Sequence, residues 1–242
     1  MDDIIVISST PAENAHFKDE LRTKWEISDL GCVKYAFGIG ILRNRENHTI
    51  SLSQTALIDR IVDQFGQADA HSVDTPMVAG LQVTRPDKSS PIPSNIADWI
   101  ARTPYRSLIE SLNYLTIGTH PDIAFAVNRL ASVLDCYHPK HWDAAICVVW
   151  YLKGTHLLTL ELRGSNPIRT LGFSNSDYNN CPDTSHSIGA YCFSLGSGAV
   201  SWASHKQTHA MDSSYYAEYI SLHDTLHEVL FLRQLFDGLH FY

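Results

Sequence analysis

The sequence has few cysteines and no long apolar run. Its five cysteines are scattered, and none forms a C-x-x-C pair. This pattern is typical of reduced thiols and argues against a disulfide framework or a zinc knuckle. The apolar stretches are as short as Ile4 to Ile7, and no secretory signal pattern is present. We therefore expect a cytoplasmic or nuclear protein without a membrane segment.

An excess of positive charge is also missing. The chain has 18 Lys and Arg against 26 Asp and Glu, which gives a formal net charge of -8. That balance argues against a strong non-specific grip on nucleic acid by the whole surface, although a local basic face is compatible with it. There is no internal repeat or low-complexity tract. With 44% hydrophobic residues in 242, the chain can form a packed core in one large domain or two small ones.

The first third alternates strand and helix signals. Residues 1–7 are predicted to form a strand. Thr10-Pro11-Ala12-Glu13 then has an N-cap, a proline at the first helical position and a glutamate that closes a capping box. A helix is expected to follow. Its apolar face recurs every four residues, at Phe17, Leu21 and Trp25.

A hairpin and a second helix come next. The pattern predicts strands over 35–42 and 49–53, joined by a polar turn. An amphipathic helix is predicted from Leu57 to Phe65, and Gly66 is expected to end it.

The middle of the chain is predicted to be helical. A Pro- and Ser-rich stretch over 85–95 indicates a linker. Three helical patterns follow, which begin near Pro104, Pro121 and Pro139. Gly154 is the expected C-terminal cap of the third.

Short strands return in the last third. They are predicted over 168–175, 188–195 and 198–202, followed by a long helix over 213–236. One side of that helix is expected to carry Tyr219, Leu222, Leu226, Val229 and Leu230. The order of elements predicts an α+β fold made of two α+β units with a helical middle.

Several stretches together resemble one family. They are "DDIIV" (2–6), "FGIGI" (37–41), "ISLSQ" (50–54), "YRSLIESLNYL" (105–115), "HPDIAFAV" (120–127), "HWDAAICVVWYLKGT" (141–155), "SWASHKQ" (201–207) and "AEYISL" (217–222). In this order they resemble the reverse transcriptase and ribonuclease H region of copia-type retrotransposon Pol polyproteins. The resemblance covers nearly the whole chain.

The resemblance implies three parts. Residues 1–84 would be the C-terminal part of a reverse transcriptase palm, with a primer-grip-like hairpin and the helix that follows it. Residues 85–156 would be a helical thumb and connection. Residues 157–242 would be a truncated, incomplete ribonuclease H-like α/β domain.

The resemblance also implies a polymerase metal site. Asp2 and Asp3 resemble the carboxylate pair of the palm, which would bind Mg²⁺. The family's third carboxylate and its nucleotide-binding fingers are not in this sequence. We therefore interpret Asp2 and Asp3 as the remains of a site that is not productively loaded.

The ribonuclease H part departs from the family pattern. The family's first catalytic aspartate comes from a strand that corresponds to Gly172–Asp177, and Asn175 stands at that aspartate's position. A neutral amide cannot replace a carboxylate that bridges two cations. Asp177 would share a face with Asn175 only if the strand continues. Glu218 resembles the family's helix carboxylate and is the remaining candidate metal ligand.

Four basic residues are candidate contacts to an RNA–DNA hybrid, which is the partner that the resemblance implies. They are Arg106, Arg129, Lys153 and Lys206. Neutral or apolar residues stand at other positions where the family usually has basic ones, namely Cys147, Trp150, Ser185 and His186. We expect these replacements to weaken phosphate contacts.

The resulting hypothesis is a truncated, inactive fragment of a retrotransposon reverse transcriptase and ribonuclease H. Two alternatives stay open: a non-catalytic module that binds an RNA–DNA hybrid, and an enzyme that is active only with flanking segments. The strand over 168–175 is expected to have an open edge through which copies could associate. His223 and His227 have a spacing that suits a metal, but no third ligand follows.

Overall fold

The computed structural model describes residues 4–86, 92–164 and 169–239. The first helix, α1 (Pro11–Lys24), begins as the sequence predicts. The Thr10 side chain accepts a hydrogen bond from the backbone N–H of Glu13, and Glu13 accepts one from the backbone N–H of Thr10. The predicted strand over 1–7 is wrong for residues 4–7, because no neighbouring strand pairs with them. Residues 1–3 lie outside the described part.

The predicted apolar face of α1 is not packed. None of its residues is buried, and Trp25, just after the helix, is largely exposed. The helix is instead held by its caps and by surface ion pairs, such as the one between Lys18 Nζ and Asp29 Oδ1 at 3.0 Å. Since such surface pairs stabilise only weakly, α1 is weakly anchored to the rest of the chain.

The first sheet contains the predicted hairpin and one unpredicted strand. Its four antiparallel strands follow the order β1 (Tyr35–Ala36), β2 (Ile39–Asn44), β3 (Thr49–Ser53) and β4 (Leu160–Arg163). The predicted strand over 35–42 is interrupted by a turn, in which Phe37 and Gly38 have φ values of 51° and 70°. The hydroxyl of Tyr114 donates a hydrogen bond to the carbonyl oxygen of Phe37 and so fixes that turn to the helical core.

Strand β4 links distant parts of the sequence. It pairs with β3 in a register that places Leu162 beside Ile50 and Leu160 beside Leu52. The sheet therefore takes strands from both sides of the boundary predicted after residue 156. The sequence contains only a short apolar run here, so pairing with β3 rather than local propensity defines the strand.

A helical core occupies the middle of the chain. Its helices are α2 (Thr55–Gln64), α3 (Ser94–Arg102), α4 (Tyr105–Gly118), α5 (Ala124–Ala131) and α6 (Pro139–Thr155). A short 3-10 turn over Pro121–Ile123 precedes α5. Helix α3 was not predicted, because its first residues belong to the Pro- and Ser-rich stretch.

The core is formed by apolar side chains at helical spacing. The most buried of them are Ile58, Ile61, Leu108, Leu112, Leu115, Ile123, Leu130, Val148, Val149 and Leu152. Tyr105 is also fully buried, and its hydroxyl donates to the carbonyl oxygen of Leu130 at 2.9 Å. This hydrogen bond joins α4 to α5 and satisfies a polar group that would otherwise be costly to bury.

Gly154 does not cap α6, which continues through Thr155. A Cβ atom at Gly154 would lie 2.8 Å from Cβ of Ser72, so glycine is needed here for a close approach between α6 and the segment after α2. The predicted cap at Gly66 is confirmed in its role, because α2 ends at Gln64 and Gly66 has a φ of 66°.

A second sheet and a long helix complete the fold. Strands β5 (Thr170–Asp177), β6 (Ile188–Leu195) and β7 (Gly198–Lys206) are antiparallel, in that order. Helix α7 (Ser214–Gly238) packs on this sheet. In the described chain β5 has no strand on its outer side, which confirms the predicted open edge.

The packed face of α7 is not the side that carries its large apolar residues. Its buried residues are Ala217, Ser221, Thr225 and Leu232, whereas the large apolar side chains that the periodicity singled out point to solvent. Small residues are buried because the helix approaches β5 closely: Ser221 Oγ donates to the carbonyl oxygen of Asn175 at 2.6 Å. Among the residues that the structure describes, no helix combines the length and apolar character needed to cross a bilayer.

Candidate functional site

The residues that the ribonuclease H resemblance singles out lie on β5 and α7. Ser174 Oγ is 3.2 Å from Ser221 Oγ, so Ser174 points to the sheet face that α7 covers. Since neighbouring side chains of a strand alternate, Asn175 points to the opposite face. Its Oδ1 accepts a hydrogen bond from the N–H of Ser176 at 2.9 Å. The candidate position on β5 and the carboxylates of α7 therefore lie on different sides of the sheet.

Asp177 shares the face of Asn175, because β5 continues to that residue. Its carboxylate accepts a hydrogen bond from the side-chain amide of Asn180. This contact is local to the end of β5 and brings in no second carboxylate. Across residues 4–86, 92–164 and 169–239, no group of three or more His, Cys, Asp or Glu side chains is placed to hold a metal ion.

Glu218 lies in the second turn of α7 and is exposed. Two other acids of the same helix are more closely engaged, and neither was predicted from the sequence. His205 Nε2 is 3.0 Å from Asp224 Oδ2, and Ser201 Oγ donates to Glu228 at 2.6 Å. Their spacing of four residues, on the side of α7 that carries Ser221, was the available signal.

The histidines beside Asp224 shift the pKa of its carboxyl group. Burial opposes the charged form of Asp224, but hydrogen bonds from His205 and His223 outweigh burial and lower its pKa. Asp224 is thus held as a carboxylate between β7 and α7. His223 and His227 stack edge to face at 4.7 Å, but they have no third ligand among the described residues.

The candidate basic residues fall into two groups. Arg129 is 5% exposed and donates to the carbonyl oxygen of Val83 at 3.1 Å. The ammonium group of Lys153 binds carbonyl oxygens of the segment after α2, including that of Ala70 at 2.7 Å. Both cationic side chains therefore form hydrogen bonds within the protein. Arg106 and Lys206 are exposed, and Arg106 lies 4.0 Å from Glu110.

A groove lined by arginines lies at the tip of the first sheet. Its volume is about 500 Å³, and its lining includes β2, β3, β4 and the loop between β2 and β3. Ile50 and Leu162 provide apolar walls, and Arg43, Arg45 and Arg163 provide cationic ones. Arg163 is paired with Glu161. No sequence motif indicates this group, because β4 is needed to bring Arg163 to the hairpin.

A hydrogen-bonded network joins the segment after α4 to α6. His120 Nδ1 is 3.3 Å from Asp122 Oδ1, and the hydroxyl of Tyr151 donates to Asp122 Oδ2 at 2.7 Å. Burial opposes ionisation of Asp122, but the hydrogen bonds from His120 and Tyr151 lower its pKa. Burial and the bond to Asp122 raise the pKa of Tyr151 to about 12. The network fixes the segment "HPD" between helices.

Comparison with known proteins agrees with the resemblance. Residues 1–79 match the family described as "Reverse transcriptase (RNA-dependent DNA polymerase)". The whole chain is similar to the retrovirus-related Pol polyprotein from transposon TNT 1-94 of Nicotiana tabacum, at 31% identity over 99% of this chain. The first third of the chain thus matches the reverse transcriptase family, and the whole chain is similar to retrovirus-related Pol polyproteins from transposons. No solved structure matches it.

The relatives of this chain differ in length. The chain spans 18% of the tobacco polyprotein and 15% of the Pol polyprotein from transposon RE2 of Arabidopsis thaliana, to which it is 28% identical over 97% of its own length. An uncharacterized mitochondrial protein of Arabidopsis thaliana is also 28% identical, and there the chain covers 88% of the relative. The copia-type Pol interpretation is thereby confirmed, while the ribonuclease H assignment stays a prediction. Asp2 and Asp3 lie outside the described residues.

Proposed function

We propose that this reverse transcriptase-family chain is a fragment of a transposon Pol polyprotein without nuclease activity of its own. The observation that carries the proposal is Asn175. It stands where the resemblance expects a bridging carboxylate, and its side chain lies on the sheet face opposite α7. Two-metal hydrolysis needs several carboxylates around one pair of cations.

The described donor set does not fit a Mg²⁺ pair. Magnesium prefers several hard oxygen ligands in octahedral geometry. Glu218 is exposed and belongs to no group of three or more candidate ligands among the described residues, whereas Asp224 and Glu228 bind side chains of β7. These residues therefore give no basis for a hydrolytic step through a metal held by β5 and α7.

A cleavage assay tests the nuclease proposal. The chain is incubated with a labelled RNA–DNA hybrid and Mg²⁺, and we expect no cleavage above a protein-free control. Asn175→Asp should not restore cleavage, because its side chain would still face away from α7. Magnesium-dependent cleavage that disappears in Glu218→Gln would overturn the proposal.

A second candidate function is binding of an RNA–DNA hybrid without chemistry. The specific observation that favours it is the arginine-lined groove, since Arg43 and Arg45 have no acidic partner among the described residues. Guanidinium groups suit phosphate oxygens, and each phosphate contact contributes to a salt-dependent affinity. The net charge of -8 works against it.

Fluorescence anisotropy with a labelled hybrid at two salt concentrations tests the second candidate. Arg43→Glu/Arg45→Glu should weaken binding and reduce the slope of log affinity against log salt by about one for each phosphate contact that is removed. Lys24→Glu/Arg60→Glu makes the same charge change at exposed positions elsewhere and serves as the control. Equal effects in both variants would reject the groove. Arg106→Glu/Lys206→Glu tests the two exposed positions that the resemblance implies.

The open edge of β5 supports a further proposal, namely association of copies through strand pairing. An edge strand presents unpaired backbone groups to any chain that can align with it. Exposed Leu171 and Phe173 add apolar surface on one face of that strand. Lysine at Phe173 is expected to reduce such association, which sedimentation velocity would measure.

A further inference from the structure

Helix α7 carries an exposed apolar stripe. Its members recur at alternating intervals of four and three residues, and they are Tyr215, Tyr219, Leu222, Leu226 and Val229. Between 39% and 72% of each side chain is exposed. The stripe lies opposite Ala217, Ser221 and Thr225, which pack on the second sheet, so the fold leaves it uncovered. This spacing is that of a two-helix coiled-coil seam.

We propose that the stripe binds the same stripe of a second copy of this chain, in an antiparallel pair of α7 helices. The inference does not depend on the proposed function, because it uses no nucleic acid and no metal. It also differs from strand pairing at β5, which would use backbone groups rather than the outer face of α7.

The stripe is self-complementary in one antiparallel register. If Leu222 lies opposite Leu226 of the second copy, Tyr219 lies opposite Val229, and Tyr215 lies opposite Arg233. Every apolar position except Tyr215 then meets another stripe residue, and the paired positions extend over about 27 Å of helix. A guanidinium over a tyrosine ring is itself a favourable contact.

The charges beside the stripe also favour antiparallel pairing. Glu218 flanks its N-terminal half and Arg233 follows its C-terminal end, and within the described part of the chain neither forms an ion pair. Antiparallel pairing brings Glu218 of one copy toward Arg233 of the other. Parallel pairing would bring like charges together, which costs free energy at an interface.

The area is adequate for a dimer. From the exposed fractions, the stripe together with Leu230 offers on the order of 600 Å² of mostly apolar surface in each copy. Pairing would bury about twice that in total, which reaches the lower range of specific interfaces. A monomer seldom leaves so large a continuous apolar patch open to water. Three more exposed apolar residues, Phe231, Leu235 and Leu239, lie on other sides of the last turns.

Sedimentation velocity from about 1 to about 100 μM tests the proposal. The chain should form a dimer. Leu222→Glu/Leu226→Glu should weaken it at least about a hundredfold, because four carboxylates would enter the seam. Leu42→Glu/Leu157→Glu changes two leucines outside α7 that are at least as exposed, and it should leave the dimer unchanged. Circular dichroism would establish that both variants are folded.

Disulfide trapping tests whether the two α7 helices pair antiparallel. A Cys32→Ser background removes the exposed native thiol. In that background, Leu222→Cys alone, Leu226→Cys alone and an equal mixture of the two are each oxidised. The mixture should form far more cross-linked dimer than either chain alone. A monomer at every concentration, a dimer that tolerates the glutamates, or stronger cross-linking of each chain with itself would overturn the proposal. A dimer abolished only by Phe173→Lys would overturn it too, since association would then belong to β5.

Discussion

Acidification should destabilise this protein through His141. The side chain is 1% exposed, at the start of α6. Its Nδ1 accepts a hydrogen bond from the N–H of His138 at 3.0 Å, and its Nε2 lies 3.0 Å from the carbonyl oxygen of Thr84. This pair of partners suits only the neutral ring with its proton on Nε2. Burial, with a contribution from Lys140, lowers the pKa of His141 to about 4.

The magnitude follows from linkage. An unfolded histidine has a pKa of about 6.5, so the unfolded chain takes up a proton before the folded one does. The stability from neutral His141 is therefore fully present above about pH 6.5 and falls as the pH drops toward 4. Between the unfolded and the folded pKa the protein loses about 3 kcal/mol of unfolding free energy. About 2 kcal/mol of this loss falls between pH 7 and pH 5.

Urea unfolding at pH 7 and pH 5 measures this loss. In His141→Gln the fall in unfolding free energy between the two pH values should be smaller than in the parent by about 2 kcal/mol. His71→Gln, which removes an exposed histidine, should retain the parent's pH dependence. If His141→Gln loses as much stability on acidification as the parent, the neutral, buried assignment of His141 is refuted.

Three further changes test the packing and the caps. Gly118→Ala would place a Cβ atom 2.3 Å from Oε1 of buried Gln54, so thermal unfolding should show a loss of about 1–3 kcal/mol. Tyr105→Phe removes the hydroxyl donor to the carbonyl oxygen of Leu130, which keeps its backbone donor at Val133, and should cost about 0.5–1.5 kcal/mol in urea unfolding. Thr10→Ala removes the cap of a helix with no buried residue. Its cost of about 1 kcal/mol should appear as faster hydrogen exchange in α1, with global unfolding unchanged.

Local signals in the sequence were sufficient to predict a feature where one short segment supplies both of the groups that interact. The capping box at Thr10, the hairpin strand β3, the stop of α2 before Gly66 and the bounds of β6 follow from neighbouring residues alone. Turn and cap chemistry acts over three or four residues, so a sequence contains all of its determinants. The same locality explains why ordered motifs were enough to indicate the reverse transcriptase family.

The candidate site was less predictable, because its geometry depends on which face of β5 and which side of α7 pack against each other. Periodicity placed the large apolar residues of α7 on one side of the helix but did not show which side packs on the sheet. The sheet packs against Ser221 and its small neighbours, since only small side chains allow the close approach to β5. The same packing separates Asn175 from the helix carboxylates, which no spacing in the sequence reveals.

The sequence by itself determined the family, most of the helices and the presence of an amide at Asn175. Tertiary structure alone decided that β4 joins β3, that Arg163 reaches the groove of Arg43 and Arg45, and that the stripe of α7 faces water. These features depend on contacts between residues far apart in the chain. Their free energy comes from burial and pairing that no single segment can provide, so no local pattern encodes them.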